Sequence, residues 1–375
     1  MSSKSVSGKR GPFTDEATTS FTLPSRYYTD EEIHRRELRN IFQKSWCYVG
    51  HITDLEEPGS YFVDNIAGQP VLVIRGQDER IRAFFNVCQH RGHELLCGRG
   101  KVRAAITCPY HGWTYGLDGL LLAARLTDDV PDFRRSDFPL IELPLSISAG
   151  LIFVNPDVDA NSFEAEAENF GETILQHLPD MAQFVAHYRF TFEIEANWKI
   201  VVDNFSEGYH IPVAHPELST LYNARGEPAL IGKRFAFYRN TARTGYKGFE
   251  TRPGEPYLSW TLWPNLCMLS LPGSQNLIVL RMAPNGCTKC RERVDIYSAP
   301  GPTDPNFETV KSLFADTFNR EDIAIVESVQ RGISSLGYDQ SRYVADKAES
   351  WFSESALHRF HAQVLNATDP RGKLD

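Results

Sequence analysis

Two short stretches, Cys88-Gln89-His90 and Cys108-Pro109-Tyr110-His111, each pair one thiol with one imidazole, and 17 residues separate His90 from Cys108. If all four side chains serve one centre, the chain between them must fold back so that two loops meet. Such limbs can put both cysteines on one iron and both histidines on the other iron of a [2Fe-2S] cluster, where neutral imidazole in place of thiolate lowers the negative charge and raises the potential. A tetrahedral zinc can also use two cysteines and two histidines, but zinc fingers group the cysteines on one limb and the histidines on the other. Here each limb is mixed. His93 and Cys97 lie beside the first limb and are read as supporting residues. Cys287 and Cys290 form a lone Cys-x-x-Cys and are read as structural, since one such pair carries little information.

A second constellation runs from Asp203 to His215, Asp-Asn-Phe-Ser-Glu-Gly-Tyr-His-Ile-Pro-Val-Ala-His. His210 and His215 are five apart, which on an unbroken helix of about 3.6 residues per turn would turn their side chains away from each other. Pro212 lies between them and can bend the backbone so that both imidazoles reach one point. Two imidazoles and one carboxylate are the ligand set of an open non-haem Fe(II) site, with positions left for O2.

The remainder of the chain has to house both centres. At 375 residues with 42% hydrophobic content it is long enough for two cores. A net charge of -9 gives no basic face for a nucleic acid or an acidic membrane. No stretch approaches the roughly 20 apolar residues of a membrane span, so the expected location is cytoplasmic. The seven cysteines, an odd number, are expected as thiols and metal ligands rather than a disulfide frame. A polar tail and a helix entered through Asp30, with His34 at its surface, fill residues 1–44. Short β-rich runs at Tyr61–Asp64, Val71–Arg75, Ile81–Val87, Ala104–Thr107 and Gly150–Asn155 predict a small antiparallel domain over 45–155, with a hairpin at Asp118-Gly119. Residues 156–375 are expected to form a second domain, with helices over 169–185 and 307–336 and strands between them. His177, His187, His358 and His361 are read as structural or as part of a polar terminal helix.

Cys88-x-His90 and Cys108-x-x-His111, followed by Asp203-Asn204-x-x-Glu207-x-Tyr209-His210 and His215, resemble the large (alpha) subunit of the Rieske non-haem iron oxygenases. The resemblance implies an α+β chain, in which a small antiparallel β Rieske domain precedes a helix-grip, START-like catalytic domain with a large antiparallel sheet on a long C-terminal helix. It implies Asp322 as the third ligand of a mononuclear iron, with Glu321 and Glu327 as chemically able neighbours that the residues alone leave open. It implies that Glu207 bridges His210 to a cluster histidine of the next subunit in a head-to-tail homotrimer, with Asn204 supporting the site.

Most aromatic-ring dioxygenases have aspartate at the bridging position. Glutamate there is similar to the subgroup that oxidises quaternary ammonium compounds such as carnitine, glycine betaine and proline betaine. The aromatic run Phe235, Phe237, Tyr238, Tyr246, Phe249, Tyr257, Trp260 and Trp263 includes a stretch, Trp260 to Pro264, that looks like carnitine-type enzymes, which suggests Trp260, Trp263 and Phe205 as substrate contacts. The expected activity is hydroxylation of a quaternary ammonium substrate next to nitrogen, giving N-demethylation or C–N cleavage. No nicotinamide or flavin fingerprint occurs, so electrons are expected from a separate flavin/ferredoxin-type reductase using NAD(P)H. The alternatives are an aromatic-ring-hydroxylating dioxygenase or other Rieske demethylase, and a non-catalytic iron-sulfur electron carrier.

Overall fold

Val71, Leu72, Val73 and Ile74 are consecutive and wholly buried, because their strand Gln69–Arg75 is central in a five-stranded antiparallel sheet and both of its faces are covered. A computed structural model describes residues 10–219, 229–241, 255–303 and 305–369. The chain divides into two compact units, Phe42–Ala165 with Pro179–Val185, and Met1–Ile41 with Glu166–Leu178 and Ala186–Asp375. Both mix helices with antiparallel sheets, the α+β class the sequence implies. Among the described residues no helix is long and apolar enough to cross a membrane.

In the smaller unit the five-stranded sheet runs in the order Arg99–Lys101, Ser60–Ile66, Gln69–Arg75, Ile81–Phe85, Glu142–Leu143. A three-stranded sheet joins Ala105–Thr107, Thr114–Gly116 and Leu121–Ala123. The turn at Asp118-Gly119 is a hairpin, with Gly119 at φ +83°, and a Cβ there would lie 2.6 Å from the Phe84 ring. Leu72, Ile74, Phe84, Ile106, Tyr115 and Leu140 pack into one core that also takes in Cys88 and Cys108.

The larger unit is built on a seven-stranded sheet. Phe235–Thr241, Pro256–Leu262, Leu266–Ser270, Leu277–Pro284 and Cys290–Ser298 follow one another as antiparallel neighbours, with Val185–Ile194 beside the last and Leu230–Ile231 at the other edge. The long C-terminal helical run comprises Pro305–Ser312, a π-helical stretch Leu313–Phe318, and Asn319–Ile333. The single helix expected over 169–185 is instead the short helix Phe170–Leu175 and a 3-10 turn Met181–Gln183. Pro179 explains the break: it lacks an amide donor and disfavours helical geometry in the residue before it. The expected aromatics Tyr246 and Phe249 lie outside the described residues.

Helix Glu31–Asn40 is capped by Asp30, whose carboxylate accepts from the amides of Glu32 and Ile33. His34, expected at the surface, is buried, because it shares the inward face with Glu37 three residues on. Glu37 and Lys199 form an ion pair at 2.6 Å with neither side chain exposed. Trp198 Nε1 donates to the other Glu37 oxygen at 2.9 Å, and Lys199 Nζ also donates to Asn197 Oδ1 at 2.9 Å. This network anchors the first turn of helix Trp198–Phe205, which leads into the histidine segment. Replacing Glu37 with alanine leaves a buried ammonium without its counter-charge, at an expected cost of about 3–5 kcal/mol. A urea midpoint unchanged from wild type would refute this; the paired change Glu37→Leu with Lys199→Met should recover most of the loss.

Candidate metal centres and cavity

Asn197 caps helix Trp198–Phe205 by accepting from the Lys199 amide, and the helix ends at Ser206. A single helical turn, Ile211–Ala214, follows after a bend. Pro212 occupies its first turn, where a missing amide donor costs nothing, and Pro216 opens the next turn. The two histidines therefore bracket one short turn, and Pro212 begins that turn instead of breaking a longer helix. Glu207 stabilises the entry, accepting from the His210 backbone amide at 3.1 Å.

Each imidazole has one nitrogen held and one nitrogen aimed. His210 Nδ1 lies 2.5 Å from Glu207 Oε1, and His215 Nδ1 lies 2.6 Å from Glu321 Oε2. The opposite nitrogens converge on Asp322: His215 Nε2 is 2.9 Å and His210 Nε2 3.7 Å from Asp322 Oδ1. Among the described residues, His210, His215 and Asp322 form the one group whose three ligand atoms lie within 4.8 Å of one another. With Nδ1 donating to Glu321, a neutral His215 ring would turn a lone pair toward a carboxylate, an approach that either a proton or a metal cation between the two relieves. Burial alone would lower the His215 pKa, but Asp322 and Glu321 outweigh it and raise it. Metal bonds of about 2.1 Å at right angles put neighbouring donors about 3 Å apart, close to the His215–Asp322 separation, so these residues fit a two-histidine, one-carboxylate iron.

Asp322 comes from the C-terminal helix. Glu327 is out of reach, its carboxylate accepting from the backbone amide of Glu195. Glu321 sits on the far side of His215, where its hold on Nδ1 orients the ring, and Asp322 faces the opposite nitrogen.

A cavity of about 770 Å³, its open mouth included, lies against this group. Asn204 and Phe205 line it, with Tyr257, Phe314, Phe318 and Trp351 supplying more rings. Leu269, Leu271, Leu280 and Met282 form an aliphatic wall from the sheet. Among the described residues that line it there is no lysine or arginine. Glu292 is also part of the wall, is 1% exposed, and accepts from Asn319 Nδ2 at 2.8 Å. Its burial pushes the carboxyl up to about 7, against the lowering effect of Asn319.

The expectation for Trp260 and Trp263 is corrected. Side chains alternate along a strand, and Tyr257 and Ser259 of Pro256–Leu262 face the cavity, so Trp260 faces the opposite way. Trp260 is wholly buried, stacked on Phe237 and donating to Thr173 at 3.0 Å. Trp263 lies past the strand end, in a separate hollow with Arg234 and Phe360. The sequence alone does not single out Trp351 or Glu292. Cys290, Glu292, Val294 and Ile296 alternate on one strand face, and an acid within that apolar set is the available signal. His358 and His361, expected on a polar helix, are buried; His361 Nε2 lies 2.9 Å from Asp203 and its Nδ1 2.6 Å from the Tyr343 hydroxyl.

In the smaller unit the two loops repeat one hydrogen-bond pattern. The Cys88 amide donates to the His93 carbonyl at 2.9 Å and the Cys108 amide to the Trp113 carbonyl at 2.8 Å. Gly92 and Gly112 donate back to the carbonyls of Cys88 and Cys108, both with positive φ, +71° and +75°. This paired geometry faces His90 and His111 toward each other, with ring centroids 4.5 Å apart, and Trp113 stacks on His90 at 4.9 Å. Both cysteines are buried and His90 is exposed. The Tyr115 hydroxyl lies 3.5 Å from Cys88 Sγ and accepts from the Gln89 amide at 3.0 Å. Burial raises the Cys108 thiol pKa. The two thiols are buried and the two imidazoles face each other farther out, so the set pairs by type across the two loops, an arrangement that fits two irons, one on the cysteines and one on the histidines. Cys97 is exposed, and His93 turns its Nδ1 to the Glu94 carbonyl, so neither joins the set.

The hold of Glu321 on His215 carries a measurable consequence. Glu321→Ala is expected to weaken metal retention about 10–100-fold, the usual effect of removing a carboxylate behind a ligating imidazole. Glu327→Ala should leave it unchanged; metal titration of both variants decides, and equal losses would contradict the assignment.

Comparison with known proteins agrees with both centres. The ring hydroxylating alpha subunit (catalytic domain) family matches residues 181–369, and the Rieske [2Fe-2S] domain family matches residues 45–134. The carnitine monooxygenase oxygenase subunit of Escherichia coli (strain K12) is 34% identical over 352 residues, 92% of this chain and 94% of that protein. The chloroplastic choline monooxygenase of Amaranthus tricolor is 30% identical over 369 residues, 93% of this chain and 79% of that protein. A solved quaternary ammonium Rieske monooxygenase, described in terms of carnitine oxidation and inter-subunit electron transfer, superposes with a TM-score of 0.89 at 32% identity, covering 96% of this chain and 100% of that one. This chain belongs to the Rieske oxygenase alpha subunits, oxidoreductases with a [2Fe-2S] Rieske domain and a catalytic domain that binds mononuclear iron.

Proposed function

We propose that this chain is the oxygenase component of a two-component system that hydroxylates a quaternary ammonium substrate at a carbon next to nitrogen. The observation that carries the reading is the wall of rings beside the metal group: Phe205, Tyr257, Phe314, Phe318 and Trp351. A methylated ammonium cannot donate hydrogen bonds, and ring faces hold it at roughly 0.5–2 kcal/mol each. The relatives named as carnitine and choline monooxygenases support the same class.

In this reading Cys88, His90, Cys108 and His111, within a Rieske domain over 45–155, hold the [2Fe-2S] cluster. His210, His215 and Asp322, within a catalytic domain over 156–375, hold the iron. When bound, these groups supply single-electron relay and O2 activation. The protein's residues do the positioning. Glu207 and Glu321 fix the two imidazoles, while Asn204 and Phe205 close the cavity on the helix side. The aliphatic wall excludes water from the reacting carbon. Hydroxylation there gives a carbinolamine, which collapses to an aldehyde and the smaller amine with release of a proton, the outcome being N-demethylation or C–N cleavage. Glu207, hydrogen-bonded to His210 Nδ1, joins it to a cluster histidine of the neighbouring subunit in a head-to-tail homotrimer. A separate flavin/ferredoxin-type reductase supplies electrons from NAD(P)H.

The same aliphatic wall would also admit an arene, which keeps aromatic-ring hydroxylation as the second reading. A screen with reductase, NAD(P)H and O2 separates the two: trimethylammonium compounds should release aldehyde in step with O2 uptake, and aromatic acids should give no diol. Diols from arenes with no aldehyde from ammonium compounds would reverse the assignment. His210→Ala should abolish product and lower iron from about three per chain, two in the cluster and one outside it, to about two. The visible bands of the cluster should persist.

A further inference from the structure

Most of the wall that the sheet gives the cavity is apolar, and one carboxyl interrupts it. Glu292 sits on strand Cys290–Ser298 directly across from Met282 on the neighbouring strand, and both line the cavity. The residues on either side of it face away, where Arg291 pairs with Glu193 and Arg293 with Asp295. Among the described residues Glu292 has no basic partner of this kind; it accepts from the neutral amide of Asn319 at 2.8 Å. The other cavity carboxylates are committed, Glu207 to His210 and Asp322 to the two imidazoles. A carboxyl buried without a counter-ion destabilises a fold unless something compensates it, and here the compensating charge has room to arrive from the cavity.

Resting on the quaternary ammonium reading above, we propose that Glu292 is the residue that reads the positive charge of the substrate: its carboxylate faces the cationic head while the rings of Tyr257, Phe314, Phe318 and Trp351 hold the methyl groups. The rings alone give a preference for N-methyl groups with modest charge selectivity. A carboxylate at this depth adds charge selectivity, because a cationic head compensates the ionised carboxyl and a neutral occupant does not. Asn319 is the positioning residue, its amide fixing one carboxyl oxygen so that the other is available to the cavity.

The test separates charge from shape. Choline and its uncharged carbon isostere 3,3-dimethylbutan-1-ol are titrated into the holoenzyme by calorimetry, with wild type, Glu292→Gln and Glu292→Asp. Wild type should bind choline at least about tenfold more tightly than the isostere. Glu292→Gln, which keeps the shape and can still accept from Asn319, should lose most of that ratio by weakening choline binding alone. Glu292→Asp should keep a preference for the cation, which shows that charge and not side-chain length is being read. A carboxyl placed only to tie strand to helix would leave the ratio unchanged in Glu292→Gln, and that result would overturn the proposal while leaving the proposed function standing. Wild type with no preference for choline over the isostere would remove the quaternary ammonium reading itself, and this proposal with it. Near-ultraviolet dichroism and cluster absorbance matching wild type establish that the variants are folded.

Discussion

Two imidazoles can aim at one point only if something fixes the nitrogens they do not use. Glu207 does this for His210 and Glu321 does it for His215, from opposite sides and from different segments of the chain. A free imidazole would rotate about its terminal torsion and choose either tautomer. With Nδ1 committed, Nε2 is the nitrogen left facing Asp322, free to give its lone pair to a metal once deprotonated. The rest of the larger unit serves that geometry. The buried Glu37–Lys199 pair sets the helix that ends just before Glu207, and the C-terminal helix supplies Glu321 and Asp322 from consecutive positions.

The smaller unit solves a different problem with a related device. Its two loops are near copies, each closed by a glycine in the left-handed region that returns a hydrogen bond to the cysteine carbonyl. The copies put both thiols inside and leave His90 exposed, so thiolate ligands of a bound cluster would be shielded and the imidazoles would lie nearer the solvent. A Tyr115 hydroxyl next to Cys88 Sγ adds a polar contact at the sulfur, which stabilises negative charge there.

Much of this was legible in the chain. Mixed Cys-His limbs, two histidines around a proline, and alternating short strands are local patterns, and local patterns survive translation into structure. What was not legible depended on packing between distant segments. Glu321 and Asp322 are neighbours with the same chemistry, and only the helix phase against His215 gives them separate tasks. Trp260 and Trp263 carry the most conspicuous aromatic signal, yet strand alternation sends one into the core and the chain's exit sends the other to a different hollow. Trp351 and Glu292 contribute to the cavity from segments with no motif at all. Pro179 divides the helix expected over 169–185 into the short helix Phe170–Leu175 and the turn Met181–Gln183.

The π-helical stretch has a geometric consequence for the whole cavity. Phe314, Phe318, Asp322 and Val326 all line it, and each is four residues from the next. On a pure α-helix a repeat of four drifts by about 40° per step, since each residue turns about 100°. After three steps the first and last would look in directions about 120° apart. A π turn closes on the fifth residue instead of the fourth, so it winds the other way relative to a repeat of four and returns the drift. The stretch Leu313–Phe318 thus acts as a vernier on the helix, bringing two rings and the carboxylate into a single column. Adding or deleting one residue upstream of it would turn that column without touching any member of it, so the register of the helix is itself part of the site.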